Sequence, residues 1–246
     1  MEYTYAKENI SQHVVRYGLD LRPTLAPAQH RSALQDYCNW LIETFPNLFD
    51  TLLSGPSQLS IQKSFPLAAG KKAQFPTFVL SPRGPIFAFP RRLFVDAIQD
   101  INVGDTDAVF RDALGELKSR FLEQKVTRLG VVHELVFDTG VLDSTALVAA
   151  RLADSAWRAK VVNLSLQLEM PTEDKNVNLQ IRPTFVRPPA GPQGGAGLTR
   201  FGVIVNVDIN NRQLSNDLPS DQADDILVFA RNYIAAELLD FLNASD

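Results

Sequence analysis

The chain has 246 residues, 45% of them hydrophobic and 21% charged, an ordinary globular composition that can bury a sizeable core as one large or two small domains. A formal net charge of -4 gives no overall attraction to nucleic acid or to an anionic membrane surface. One cysteine, Cys38, excludes an internal disulfide, and His13, His30 and His133 stand too far apart for a zinc-ligand spacing, so no metal or other cofactor is expected.

The N-terminus lacks the basic start and apolar stretch of a signal peptide, and no apolar run approaches the ~20 residues of a membrane span, which predicts a cytoplasmic protein. From His13 to Leu25, Val15, Tyr17, Leu19 and Leu21 alternate with Arg16, Asp20 and Arg22, the pattern of a half-buried strand. Leu34, Tyr37, Cys38, Leu41, Ile42 and Phe45 then fall three and four apart on one helical face. Cys38 lies within that stripe and reads as a small buried apolar residue. Between Ser57 and Asn102, prolines and glycines punctuate three short strands. Asp105 caps a helix with the stripe Phe110, Ala113, Leu114, Leu117 and Phe121, a strand follows from Val126 to Phe137, and Asp143 or Ser144 starts a shorter helix.

The last third is the most regular. Val162, Leu164, Leu166, Leu168 and Met170 alternate with polar residues, as do Val177, Leu179 and Ile181, with a turn over residues 171–176. A loop rich in Pro and Gly, 188–197, leads to a third strand carrying Phe201, Val203, Val205, Val207 and Ile209. The closing helix places Ile226, Phe229, Ala230, Tyr233, Ile234, Leu238 and Phe241 on one face. Phe94–Phe121 and Val203–Phe241 share a strand, an Asp-Ile-Asn (Asp100–Asn102 and Asp208–Asn210), an acidic loop and a helix, which suggests a duplicated β-β-β-α unit.

Arg128-Leu129-Gly130, then Asp208-Ile209-Asn210 at a strand end, then a long terminal helix occur in this order. On those residues the chain resembles a sporadically distributed family of uncharacterised bacterial proteins, which shows an Arg-x-Gly-x-Arg-Tyr-x-Asn strand, an aspartate-rich strand end and a terminal helix. The chain reads Val132-His133-Glu134 where that family has its Arg-Tyr and Asn region. The resemblance implies an α+β bacterial protein and supplies no active site.

Asp138-Thr139-Gly140 after an apolar run looks like the aspartic-protease signature, which needs two carboxylates sharing a proton. With no second copy of the tripeptide, only a homodimer could complete the dyad; the plain alternative is a strand ending in a turn. The glycines of 191–197 precede a strand rather than a helix, so a phosphate cradle is not expected. His133 reads as a packed, hydrogen-bonded residue on the face of Leu129, Val131 and Leu135. Arg83, Arg91 and Arg92 lie at strand ends, and Arg182, Arg187 and Arg200 flank the Gly-rich loop; if the two sets converged they would form a cationic groove. The polar positions of the last three strands, Asn163, Ser165, Gln167, Asn178, Gln180, Asn206 and Asp208, are mostly amides, which are disfavoured in strands but suit a hydrogen-bonded interface.

The expected fold is α+β: mainly antiparallel sheets, each backed by a long amphipathic helix, in two similar β-β-β-α units, 1–140 and 141–246, or one continuous domain. The expected function is a non-enzymatic cytoplasmic protein that assembles with itself or binds a macromolecular partner, a protein being favoured, through its polar sheet face and C-terminal helix. A homodimeric aspartic protease using Asp138 is the alternative from another class. A sheet-face nucleic-acid binder is the third, less favoured because the strands lack interleaved aromatic and basic residues.

Overall fold

The computed structural model describes residues 3–55, 59–95, 97–140, 142–149, 164–186 and 200–244, with backbone only at 69, 95, 185, 186 and 200. In chain order these form β1 (Ile10–Arg22), α1 (Arg31–Thr44), β2 (Thr51–Ser54), β3 (Leu59–Pro66), β4 (Lys72–Leu80), β5 (Pro85–Val95), β6 (Ala97–Asp100) and α2 (Thr106–Arg120). Then come β7 (Lys125–Gly140), α3 (Ser144–Ala149), β8 (Leu166–Pro171), β9 (Lys175–Val186) and β10 (Arg200–Asn211). A closing helix runs from Ser220–Asn232 through a π turn, Tyr233–Glu237, into Leu238–Asn243.

The fold is α+β, and its strands pair antiparallel in one ten-stranded sheet of order β2-β3-β4-β5-β1-β7-β10-β9-β8, with β6 folded back on β5. The separate sheets expected from the sequence are joined because the two longest strands, β1 and β7, pair along nearly their whole length, from Ile10 opposite Phe137 to Arg22 opposite Lys125. Between Ser57 and Asn102 the described residues form four strands, β3 to β6, rather than three, and β2 precedes that stretch. The four-residue β2 and β6 are mostly exposed and too short to show an alternating pattern.

Alternation divides the sheet into two faces. On the covered face Val15, Tyr17, Leu19, Leu21, Leu129, Val131, Leu135, Phe137, Val203, Val205, Val207 and Ile209 are all at most 2% exposed. They form one cluster with Leu34 and Tyr37 of α1, Phe110 and Leu117 of α2, Val148 of α3, and Ile226 and Leu227 of the closing helix. The described helices therefore make a layer on that face alone, and each fully buried side chain there contributes roughly 1.5–3 kcal/mol through removal from water. Tyr17 stacks on Phe110 at 4.7 Å between ring centroids, and its buried hydroxyl donates to Asp107 Oδ1 at 2.7 Å while meeting Thr106 Oγ1 at 2.8 Å. Cys38 is fully buried, and burial pushes its thiol up to about 12, so it behaves as a core residue.

Local signals hold where the chemistry is local. Asp105 caps α2 by accepting from the backbone N–H groups of Asp107 and Ala108 at 3.1 and 3.2 Å, and Asp143 caps α3 through Thr145 at 2.9 Å. At Gly84 the β4–β5 turn meets β1 so closely that an added Cβ would lie 2.2 Å from the Leu19 carbonyl oxygen. The closing helix departs from an uninterrupted stripe: Ala223, Ile226, Leu227, Ala230 and Tyr233 are buried, and then Leu238 and Leu242. The extra residue of the π turn moves the buried line by one position, which leaves Phe241 only partly buried. Phe229 is also only partly buried, against Tyr233 and under the Lys175 ammonium, which sits 5.5 Å from its ring. The two Asp-Ile-Asn tripeptides are not equivalent, since Asp100 ends an edge hairpin while Asp208 sits inside β10 between β7 and β9.

Candidate functional site

No described helix packs on the other face of the sheet, which is open at its β8–β9 end but buried at Val14, Ala88 and Pro90, and the amides lie there. Strand register places Gln167, Gln180, Asn206, Glu134, Val14 and Pro90 in one row across the strands, and Glu169, Asn178, Asp208, Val132, Arg16 and Ala88 in the next. Side chains in and beside these rows hydrogen-bond to one another. Asn206 donates to Gln180 Oε1 and Gln180 to Ser165 Oγ, both at 3.3 Å. Gln12 donates to Glu134 Oε1 at 3.0 Å, and the Arg16 guanidinium meets Glu134 Oε2 at 3.3 Å.

At the far end of β7 and β10 the residues that carried the family resemblance meet. Arg128 donates to Asn210 Oδ1 at 2.7 Å, Asn210 donates to Asp208 Oδ1 at 3.1 Å, and a Cβ at Gly130 would touch that same oxygen at 3.4 Å. Asn211, 3% exposed, accepts from the Leu129 N–H at 2.9 Å and donates to the Thr127 and Gln213 carbonyls, which ties the end of β10 to β7.

Gln167, Asn178, Gln180, Asn206 and Asp208 are thus brought together on one face, with Arg182 opposite Ile204 beside them. Asn163, Arg187 and the glycines of 191–197 lie outside the described residues, as does the side chain of Arg200. The closing helix packs on the covered face, so it and the amides lie on opposite sides of the sheet. The described members of the two arginine sets are likewise apart: Arg91 and Arg92 line a cleft on the covered side, Arg83 sits in the β4–β5 turn, and Arg182 is on the open face.

Asp138 lies two residues before the end of β7 with 9% exposure. Its Oδ1 accepts from the Gly140 N–H at 2.8 Å, Gly140 adopts a φ of +65°, and the Tyr3 hydroxyl donates to the Asp138 carbonyl at 3.1 Å. Thr139 Oγ1 closes the turn by donating to the Leu142 carbonyl at 3.1 Å. This local duty accounts for an Asp-Thr-Gly here: the carboxylate fixes a turn in which Gly supplies the left-handed backbone.

The covered face holds a feature the sequence concealed. His13 Nε2 and His133 Nδ1 lie 3.1 Å apart on neighbouring strands, 120 positions apart in the chain. Burial lowers both, with Arg91 and Arg92 repelling a proton from His13, and His13 and Arg91 repelling one from His133, so that the pair titrates at about 4 and about 3 and is neutral near pH 7. The pair forms part of a cleft of about 380 Å³ between the sheet and the closing helix. His133 is the packed, hydrogen-bonded residue that its strand neighbours implied, but no sequence signal names its partner. Among the described residues no group of three or more His, Cys, Asp or Glu could hold a metal ion, and no helix is long and apolar enough to cross a membrane.

No family model, curated protein or solved structure matches this chain.

Proposed function

We propose that this chain is a non-enzymatic binding protein whose open sheet face is the contact surface for a protein partner or a second copy of itself. The lateral amide rows of that face carry the reading. Gln167, Gln180, Asn178 and Asn206 are half-buried or exposed, pinned in register, and interspersed with Val132 and Ile204, a mixture of adaptable donors, acceptors and small apolar area that suits a wet protein–protein contact. β8 ends the described strand order, so its outer edge adds backbone donors and acceptors in reach of the same partner. Nucleic acid is disfavoured, because the two amide rows hold no aromatic ring and their one cation, Arg16, is paired with Glu134.

The family resemblance belongs to the same reading, through the Arg128, Gly130, Asp208 and Asn210 cluster. So does a duplicated architecture of two units, each with a sheet segment backed by an amphipathic helix. Read outward from the central pair, β1 is followed by β5, β4 and β3, and β7 by β10, β9 and β8, an order that supports a duplicated arrangement.

Gln167→Lys together with Gln180→Lys tests the interface. Two ammonium groups pressed into a desolvated contact without carboxylate partners are costly, so the double variant should lose assembly in light scattering and lose its partner in affinity capture, with the circular dichroism spectrum of the folded chain unchanged. Unchanged assembly together with unchanged partner recovery would overturn the reading.

A further inference from the structure

Lying on the opposite side of the sheet from the amide face, the cleft beneath the closing helix has its own chemistry. Its floor is β1 and β7, with Val15 and Leu135 beside the two histidines, and its roof is the π turn and the segment after it, where Ile234, Leu238 and Leu239 face in. Among the described residues, Lys7, Arg91, Arg92 and Arg231 line it against two carboxylates, Asp100 and Asp107, in a chain whose formal net charge is -4. Those carboxylates are engaged. Arg92 Nε bonds Asp100 at 2.6 Å and its Nη1 bonds the Lys7 and Ile10 carbonyls, while Arg231 lies 3.4 Å from Asp107, which also accepts from Tyr17. Arg91 donates to the neutral hydroxyl of Thr106 at 2.8 Å, and among the described residues neither it nor Lys7 has a carboxylate partner.

Being neutral, the histidine pair offers the cleft a fixed hydrogen-bonding pattern in either tautomeric arrangement. One ring N–H is used between the rings, and the outer nitrogens, His13 Nδ1 and His133 Nε2, are left as one donor and one acceptor. The rest of the lining is mainly apolar, aliphatic at Ile10, Val15 and Leu135 and aromatic at Tyr17 and Phe137. An excess of two positive charges, one guanidinium fork without an acid, a polar floor and an apolar roof together select a ligand with an anionic head and an apolar body.

We propose that this cleft binds a small organic carboxylate, its carboxylate on Arg91 and its apolar body between Leu135 and the Ile234–Leu238 segment. The π turn fits this role, because its extra residue offsets the roof residues from the regular helical line directly over the cleft, and such insertions recur at functional sites.

Calorimetric titration of the full chain with 4-phenylbutyrate tests the site, with 4-phenylbutyramide, acetate and inorganic phosphate as comparisons. The expected result is saturable one-to-one binding of 4-phenylbutyrate that is at least about tenfold tighter than binding of the uncharged amide or of acetate, the factor expected for one charge-assisted contact. Arg91→Gln, at an exposed position, should weaken the carboxylate by about tenfold and leave the amide unchanged. Ala235→Trp, on the exposed side of the π turn, should block both by filling the mouth of the cleft. In spectra of the histidine ring protons, 4-phenylbutyrate should move the His13 and His133 signals and not that of His30. Equal affinity for acid and amide, phosphate binding as tight as 4-phenylbutyrate, undiminished binding by both variants, or no binding at all would each overturn the assignment.

Discussion

Acidification should unfold this protein earlier than its carboxylates alone would demand, because His13 and His133 must stay neutral in the folded state. Both have folded values, about 4 and about 3, below the ordinary 6.5, so the stability tied to them is complete above about pH 6.5 and is lost as pH falls toward those folded values. At pH 5 the unfolded chain protonates both rings and the folded chain protonates almost none, so the loss is set by the 1.5 units between pH 5 and the ordinary value. At about 1.4 kcal/mol per unit that is about 2 kcal/mol for each histidine and about 4 for the pair. Typical domain stability is about 5–15 kcal/mol, so the shift should be plain in urea melts at pH 7 and pH 5. The carboxylates with depressed values, Asp50 and Asp174, lose their contribution only at lower pH. His13→Gln with His133→Gln should remove most of the difference between the two melts. Equal wild-type stability at both pH values, or an undiminished difference in the double variant, would refute a buried neutral pair.

Gly84→Ala should destabilise by about 1–3 kcal/mol in the same melts, since its Cβ would meet the rigid Leu19 carbonyl at 2.2 Å; an unchanged midpoint would mean the β4–β5 turn is not seated on β1. Phe110→Ala, which removes a fully buried ring stacked on Tyr17, should cost about 3–5 kcal/mol. Phe229→Ala should cost clearly less, because that ring is partly exposed and contributes chiefly its contacts with Tyr233 and Lys175. Asp138→Asn keeps an acceptor for the Gly140 N–H, so it should shift stability by about 1 kcal/mol or less.

What could be read from the sequence was what adjacent residues decide. The alternation at Val15–Leu21 and Val203–Ile209, the cap at Asp105 and the buried Cys38 each depend on neighbours within a few positions, and each appears in the structure. The amide set was legible for the same reason, since period-2 spacing assigns a strand's residues to one face or the other. Sheet order was not legible, because pairing β1 with β7 is decided by tertiary packing across a chain separation of about a hundred residues, which also hid the contact between His13 and His133. The side taken by the closing helix was hidden too, as a stripe shows that a helix is covered but not by which face of a sheet. The shift from Phe241 to Leu242 turns on a single π insertion that leaves no mark in residue type.

The open face is tested most directly by placing the photocrosslinker p-benzoylphenylalanine at Gln180, with Asp225 on the closing helix as the control position. Crosslinked product, either a dimer of the pure protein or one heterologous species in extract of its host, should form from position 180 and not from 225, and should vanish when Gln167→Lys is added. Crosslinking that is absent from 180, or equal from both positions, would contradict an interface on the amide rows.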